Sequence, residues 1–168
     1  KTNFKKINLL SIIEETVRIR EKEISGKKIT IRMEAGVREP MIQGDVEQVK
    51  QVFFNVIGNA VDAVSDGSEV RIVTGLDDEY VFAQVVDQGV GIKKENISRV
   101  FEPYFTTKKK GHGIGMMIVH RIMRDHKGEV GVDSKEGSGT IVTLKFPRKS
   151  ASRQLLGSSD GNSDHNET

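Results

Sequence analysis

The stretch from Asp45 to Val64 constrains the fold most. Apolar side chains recur at Val46, Val49, Val52, Phe53, Val56, Ile57, Ala60, Val61 and Val64, the spacing of a helix that buries a broad face. Asp45, with Gln48 three residues on, fits a capping box at its start, and Asp66-Gly67 supplies the stop. A helix of this kind is stable only against another layer. The flanking sequence supplies one. Ile29, Ile31 and Met33 alternate with polar residues as in a half-buried strand, and Pro40-Met41-Ile42 reads as a short extended piece. Two apolar runs, 69–74 and 80–86, flank the polar stretch Leu76-Asp77-Asp78-Glu79 and predict a hairpin. Strands at about 129–134 and 140–146 form a second one across Glu136-Gly137-Ser138-Gly139.

Further helices are expected around this frame. One is capped by Asn8, runs through Leu9, Leu10, Ile13 and Val17, and stops near Gly26. A short helical piece is predicted near 96–101, and another helix holds Ile114, Met117, Ile118 and Ile122 and closes at Gly128. The fold class is therefore α+β: a two-layer α/β sandwich with helices on one face of a mixed, mostly antiparallel sheet. Residues 1–149 read as one domain. Residues 150–168, rich in Ser, Gly, Asn and Asp, read as a disordered polar tail.

Composition closes off several classes. The chain has 168 residues and no cysteine, so disulfide frameworks, thiol catalysis and cysteine-ligated metals are excluded. No apolar run approaches the ~20 residues of a membrane helix. The 26 Lys+Arg against 24 Asp+Glu leave a net charge of +2, too even to argue for a nucleic-acid or membrane surface. The 17 glycines are unevenly placed: nine lie between positions 89 and 139.

Four places carry candidate chemistry. Asn55, Asn59 and Asp62 stand at i, i+4 and i+7, on the side of the helix opposite the apolar one. Such a stripe is either a solvated face or a ligand face whose amide oxygens and carboxylate suit a hydrated hard cation with a phosphate chain. In Val85-Val86-Asp87-Gln88-Gly89-Val90-Gly91 a buried-looking strand ends in an acid and two spaced glycines. It is either an ordinary turn or a place where Asp87 accepts a ligand amine. Lys108-Lys109-Lys110-Gly111-His112-Gly113-Ile114-Gly115-Met116 precedes a helix. It is either a surface loop or a cradle of N–H groups and cations for a polyanion. Gly137-Ser138-Gly139-Thr140 is a turn before a strand, with one hydroxyl available to a ligand.

The order of these pieces, with Phe101-Glu102-Pro103-Tyr104-Phe105-Thr106-Thr107-Lys108 between the second and third, resembles the catalytic ATP-binding domain of bacterial sensor histidine kinases, within the GHKL ATPase superfamily. The likeness covers roughly residues 5–147: Gln51–Ala63 resembles the N box, Asp87–Gly91 the G1 box, Phe101–Lys108 the F box, Gly111–Met116 the G2 box and Gly137–Thr140 the last glycine box. The Thr-Thr-Lys ending is similar to the nitrogen-regulation subgroup.

The resemblance implies ATP and Mg2+ as cofactors. It implies Asn59 as metal ligand, Asn55 as support for the metal or its water, and Asp87 as acceptor of the adenine amino group. Gly89 and Gly91 are implied to let the backbone approach the base, and Thr140 to sit near adenine. The loop from about 102 to 113 is implied as a flexible ATP lid, hinged at Gly111, Gly113 and Gly115, with Lys108 reaching the phosphates. Asp62, Ile92, Phe101, Thr107, His112, Ile114 and Met116 are implied as further nucleotide-lining positions.

The activity implied is transfer of the ATP γ-phosphate to a histidine. None of His112, His120, His126 and His165 carries the family's acceptor pattern. The expectation is thus a kinase fragment whose acceptor lies before Lys1 or on another protein, in cis or in trans within a dimer, with a response regulator downstream. His126 is expected to serve structure. The isolated domain is expected to be monomeric and cytoplasmic, compatible with a membrane-anchored parent, with no contact of its own to nucleic acid or membrane. Alternatives are a GHKL-type ATPase or an anti-sigma-type serine kinase. Those relatives carry a glutamate at the position of Asn55, and a carboxamide is a poor general base.

Overall fold

The computed structural model describes residues 1–103, 105 and 115–148. The expected tail at 150–168 lies outside the described residues. The elements run β1 (Phe4–Asn8), α1 (Leu9–Ile19), α2 (Glu21–Gly26), β2 (Thr30–Ala35), β3 (Met41–Asp45), α3 (Val46–Ala63), β4 (Glu69–Leu76), β5 (Tyr80–Asp87), α4 (Lys94–Ile97), α5 (Gly115–Asp125), β6 (Glu129–Lys135) and β7 (Gly139–Pro147). Five strands form the main sheet in the order β2-β4-β5-β7-β6. All its neighbours are antiparallel except β2 and β4, which are parallel. Parallel neighbours need a crossover, and here β3 and α3 provide it. The helices lie on one face, as expected.

Helix α3 is the spine of the core. Its Val49, Val52, Phe53, Val56, Ile57 and Val61 are almost completely buried. They meet Leu9 and Ile13 of α1, Val119 and Met123 of α5, and the inward rows Ile72-Val85-Val142 and Ala83-Leu144 of the sheet. Each such side chain contributes about 1.5–3 kcal/mol of transfer free energy, so this layer fixes where the polar stripe of α3 points.

Four details depart from the sequence reading. The first helix is broken at Arg20, whose guanidinium stacks on Phe54 at 3.8 Å and donates from Nε to the Phe54 carbonyl at 2.9 Å. The extended piece at 40–42 is a strand reaching Asp45, since β1 pairs with it from Phe4 to Asn8. That first strand has no alternating apolar pattern and went unpredicted. The short helix covers Lys94–Ile97 rather than 96–101.

The capping box at Asp45 is only half formed. Asp45 Oδ1 accepts from Gln48 N–H at 3.1 Å. The return bond is absent: Asp45 N–H donates instead to Nε2 of buried His126 at 3.1 Å. His126 Nδ1 in turn bonds the Ile122 carbonyl at 2.8 Å, and its ring stacks on Phe4 at 4.6 Å. A structural role for His126, expected from the sequence, accounts for these contacts. The other end of α3 is closed by Lys27, whose Nζ donates to the carbonyls of Val61 and Val64 at 2.8 and 2.7 Å.

Candidate functional site

Strand pleating assembles the first half of the site. Along β5, Val81, Ala83 and Val85 face the helices, so Asp87 does too. On β7 the same face carries Phe146, Leu144, Val142 and then Thr140, and on β6 it carries Val130, Val132 and then Ser134. Register aligns these ends: Asp87 pairs with Thr140, and Thr140 with Ser134. The inner face of the sheet is thus mostly apolar, with buried Thr74 of β4 beside Ala83 as an exception, and its last row turns polar at Asp87, Thr140 and Ser134.

Asp87 is 7% exposed. Its Oδ1 accepts the Gly89 N–H at 2.9 Å. Burial pushes its carboxyl above the usual carboxylate range, and the backbone N–H groups of Gly89 and Thr140 oppose that shift. Among the described residues no cation pairs with it. A buried acid held only by backbone donors has spare lone pairs for a ligand donor.

The glycine loop after Asp87 is fastened on both sides. Val90 N–H donates to the Ala63 carbonyl at 3.2 Å, and the Val90 carbonyl accepts from Gly137 N–H at 2.8 Å. Gly91 has φ +70° and Gly139 φ +112°. A Cβ at Gly91 would lie 2.1 Å from the Lys135 carbonyl oxygen, and one at Gly139 would lie 2.1 Å from that of Asp87. Both positions need glycine for conformation and for space. The close approach they permit is to the protein's own backbone, which explains these glycines before any ligand is considered.

The bond from Val90 to Ala63 brings the polar row to the C-terminal end of α3, one turn beyond Asn59. Asn55 and Asn59 are half-buried and Asp62 is exposed on that helix. The Asn55 amide is held in place: Nδ2 donates to the Gly115 carbonyl at 3.2 Å, and Oδ1 accepts from Gln51 Nε2 at 3.1 Å. Gly115 is the first residue of α5, so this bond ties the start of α5 to α3. Met116 is half-buried in the same turn. Ile92 is half-buried, with its N–H donated to Ser134 Oγ at 2.8 Å. Phe101 packs its ring on His120 at 5.2 Å. Thr107, Lys108, Gly111, His112, Gly113 and Ile114, and with them most of the expected lid, lie outside the described residues.

Among the described residues no three His, Cys, Asp or Glu side chains gather to hold a metal. A cation at the stripe of α3 would depend on amide oxygens, water and oxygens of a ligand. A groove between α3 and α5, lined by Glu47, Gln48, Gln51, Ile118, Arg121, Ile122 and Asp125, lies toward the opposite end of α3 from Asp87 and includes none of the expected site residues. The sequence reading missed Ser134. The alternation Val130, Val132, Ser134 was a usable signal for it. Among the described residues no helix is long and apolar enough to cross a membrane.

Residues 44–150 match the family described as histidine kinase-, DNA gyrase B-, and HSP90-like ATPase. Sporulation kinase A of Bacillus subtilis (strain 168) is 38% identical over 143 residues, which are 85% of this chain and 24% of that protein. Sensor histidine kinase ZraS of Escherichia coli (strain K12) is 31% identical over 141 residues, 84% of this chain and 30% of that protein. The chain thus spans less than a third of the length of these relatives. Among solved structures, the nucleotide-free catalytic domain of histidine kinase ThkA superposes with a TM-score of 0.79 at 27% identity, covering 86% of this chain and 97% of that one.

Proposed function

Because the chain belongs to the histidine kinase-, DNA gyrase B-, and HSP90-like ATPase family, we propose that it is the Mg-ATP-binding catalytic domain of a sensor histidine kinase, passing the γ-phosphate to a histidine on a separate dimerisation and phosphoacceptor domain. The observation that carries this reading is buried Asp87, with no cation paired to it among the described residues, in the polar row Asp87-Thr140-Ser134 that ends a mostly apolar sheet face. Such an acid selects a ligand with an amine at the depth of the core. Asp87 accepts the adenine amino group, with Thr140 beside it. The triphosphate then extends along α3 toward Asn59 and Asn55. Lys108 and the glycines at 111, 113 and 115 keep, on sequence grounds, the role of phosphate partners.

Mg2+ fits the amide stripe of α3, because it keeps much of its water and takes its remaining oxygens from phosphates. Asn59 would hold it, with Asn55 orienting a bound water, and it would supply charge neutralisation on the phosphates. The chain's own residues position the nucleotide. In the transfer, the acceptor imidazole nitrogen forms a bond to the γ-phosphorus. The bond from that phosphorus to the β–γ bridging oxygen breaks, and ADP leaves with the electron pair. No general base is required from this domain. That suits Asn55, whose amide is engaged with Gln51 and Gly115 and is a poor base for activating water. Net hydrolysis is therefore slow. The domain is cytoplasmic and monomeric in isolation, and the phosphate passes from the acceptor histidine to a response regulator.

The test is phosphotransfer from γ-labelled ATP to a purified phosphoacceptor domain, with and without Asn59→Ala. The substitution abolishes Mg-dependent transfer, and ATP alone leaves the chain essentially unlabelled. Normal transfer by Asn59→Ala, or robust acid-labile self-labelling, overturns the assignment.

A further inference from the structure

Gly58 stands inside α3, where glycine weakens a helix relative to alanine. What occupies its side-chain space is Arg20. A Cβ at Gly58 would lie 2.5 Å from Arg20 Cζ, so the guanidinium fills the place that a side chain at 58 would take. Three contacts hold it there. It stacks on the Phe54 ring, its Nε donates to the Phe54 carbonyl, and its Nη1 donates to Glu23 Oε2 at 2.8 Å. The Arg20 side chain is 12% exposed. Helix α3 thus carries a cation rooted between α1 and α2.

Position 58 lies three residues after Asn55, one before Asn59 and four before Asp62. Helix residues three and four apart have Cβ atoms about 5–6 Å from each other, so the guanidinium borders the polar stripe of α3. Glu23 offsets its charge only in part, because that carboxylate is exposed to solvent. Nη2, the nitrogen nearest Gly58, has no acceptor among the described residues. A fixed guanidinium with a nitrogen to spare suits a phosphate oxygen. With the base at the Asp87 end, position 58 is reached after Asn59 and before Asn55. Arg20 therefore meets the terminal phosphate rather than the one next to the ribose.

We propose that Arg20, seated in the space left by Gly58, is a phosphate-binding residue that donates from Nη2 to the γ-phosphate and sets the preference of this site for a nucleoside triphosphate over a diphosphate. The proposal rests on the reading that the triphosphate runs along α3, and its test separates the two ideas.

The experiment is calorimetric titration of the full chain with ATP and with ADP in the presence of Mg2+. Arg20→Met keeps an apolar stem against Phe54 and removes the donors. It lowers ATP affinity about tenfold, as the loss of one charged hydrogen bond requires, and leaves ADP affinity within about twofold. Gly58→Ala keeps the arginine but closes its seat, and it lowers the ATP-over-ADP ratio in the same direction. An unchanged ratio in folded Arg20→Met overturns the proposal. So does an equal loss for both nucleotides, because an arginine that only supports the fold weakens both alike. Should that variant not fold, an unchanged ratio in Gly58→Ala overturns it equally. If Asn59→Ala abolishes Mg-dependent ATP binding while Arg20→Met leaves the ratio intact, only the role of Arg20 is lost. If Asn59→Ala leaves Mg-dependent ATP binding intact, the triphosphate does not run along α3 and the site reading fails with it.

Discussion

Helix α3 ends in two corners that each bury an aspartate, and the two acids are treated in opposite ways. Asp45, at the N-terminal corner, is 8% exposed, and Asp87, beyond the C-terminal corner, is 7% exposed. Asp45 sits below the usual carboxylate range, chiefly because the Asn3 and Gln48 N–H groups donate to it. Asp87 sits above that range, chiefly because burial removes water faster than the Gly89 and Thr140 N–H groups replace it. Equal burial therefore does not mean equal purpose. At the N-terminal corner Asp45 itself is fully engaged, its carboxylate by two backbone N–H groups and its own N–H by His126. The other is left short of donors, the condition expected where a ligand completes the set.

The largest effect that can break this contrast is on binding. Asp87→Asn lowers ATP affinity roughly 10- to 100-fold, the range for losing a hydrogen bond to a charged group, while affinity for inorganic tripolyphosphate stays the same. Equal weakening of both in calorimetry would show that Asp87 does not read the base. His126→Phe comes next. It fills the space but leaves the Asp45 N–H buried without an acceptor, and urea unfolding detects a loss of about 1–3 kcal/mol. His126→Gln, which restores an acceptor, recovers part of it, and neither changes the ATP affinity of the folded protein.

The pH dependence of stability sharpens the contrast further. A depressed carboxyl stabilises the fold above its unfolded value of 3.8, and that contribution is lost as pH falls through the folded value. A raised carboxyl does the reverse, costing stability as pH rises from 3.8 through its folded value. Asp45→Asn thus lowers the Tm at neutral pH, and its deficit shrinks on acidification. Asp87→Asn raises the nucleotide-free Tm at neutral pH, and its gain disappears below about pH 4. Two thermal melts that shift in the same direction would show that the corners are alike. The smallest effect belongs to Lys27→Met, which uncaps the Val61 and Val64 carbonyls and costs about 0.3–1 kcal/mol, read again by urea unfolding.

What was legible in the sequence follows from where the information is local. Helix α3 and the two hairpins announce themselves by apolar period, and Asp87 and Thr140 fall at strand ends that the alternation already marks. The parallel pairing of β2 with β4 depends on contacts across the crossover, and β1 exists only because β3 offers an edge to it. The Arg20 side chain at the helix break finds its partner in Phe54, 34 residues away. Half of the expected capping box fails for the same reason, since the acceptor that takes the place of Gln48 is His126, 81 residues beyond Asp45. Ser134 is the last residue of the strand expected at 129–134, and its local sequence says nothing of what it touches. Only the register of β6 on β7 gives it a neighbour.

The glycine loop is secured through main-chain atoms of Val90, while the Val90 side chain is 70% exposed. A residue gripped by its backbone and idle at its side chain is a natural attachment point for a probe. The chain contains no cysteine, so Val90→Cys would carry the sole thiol, three residues from Asp87. A fluorophore there would report nucleotide arrival in real time from the edge of the polar corner, without any competing label elsewhere in the molecule.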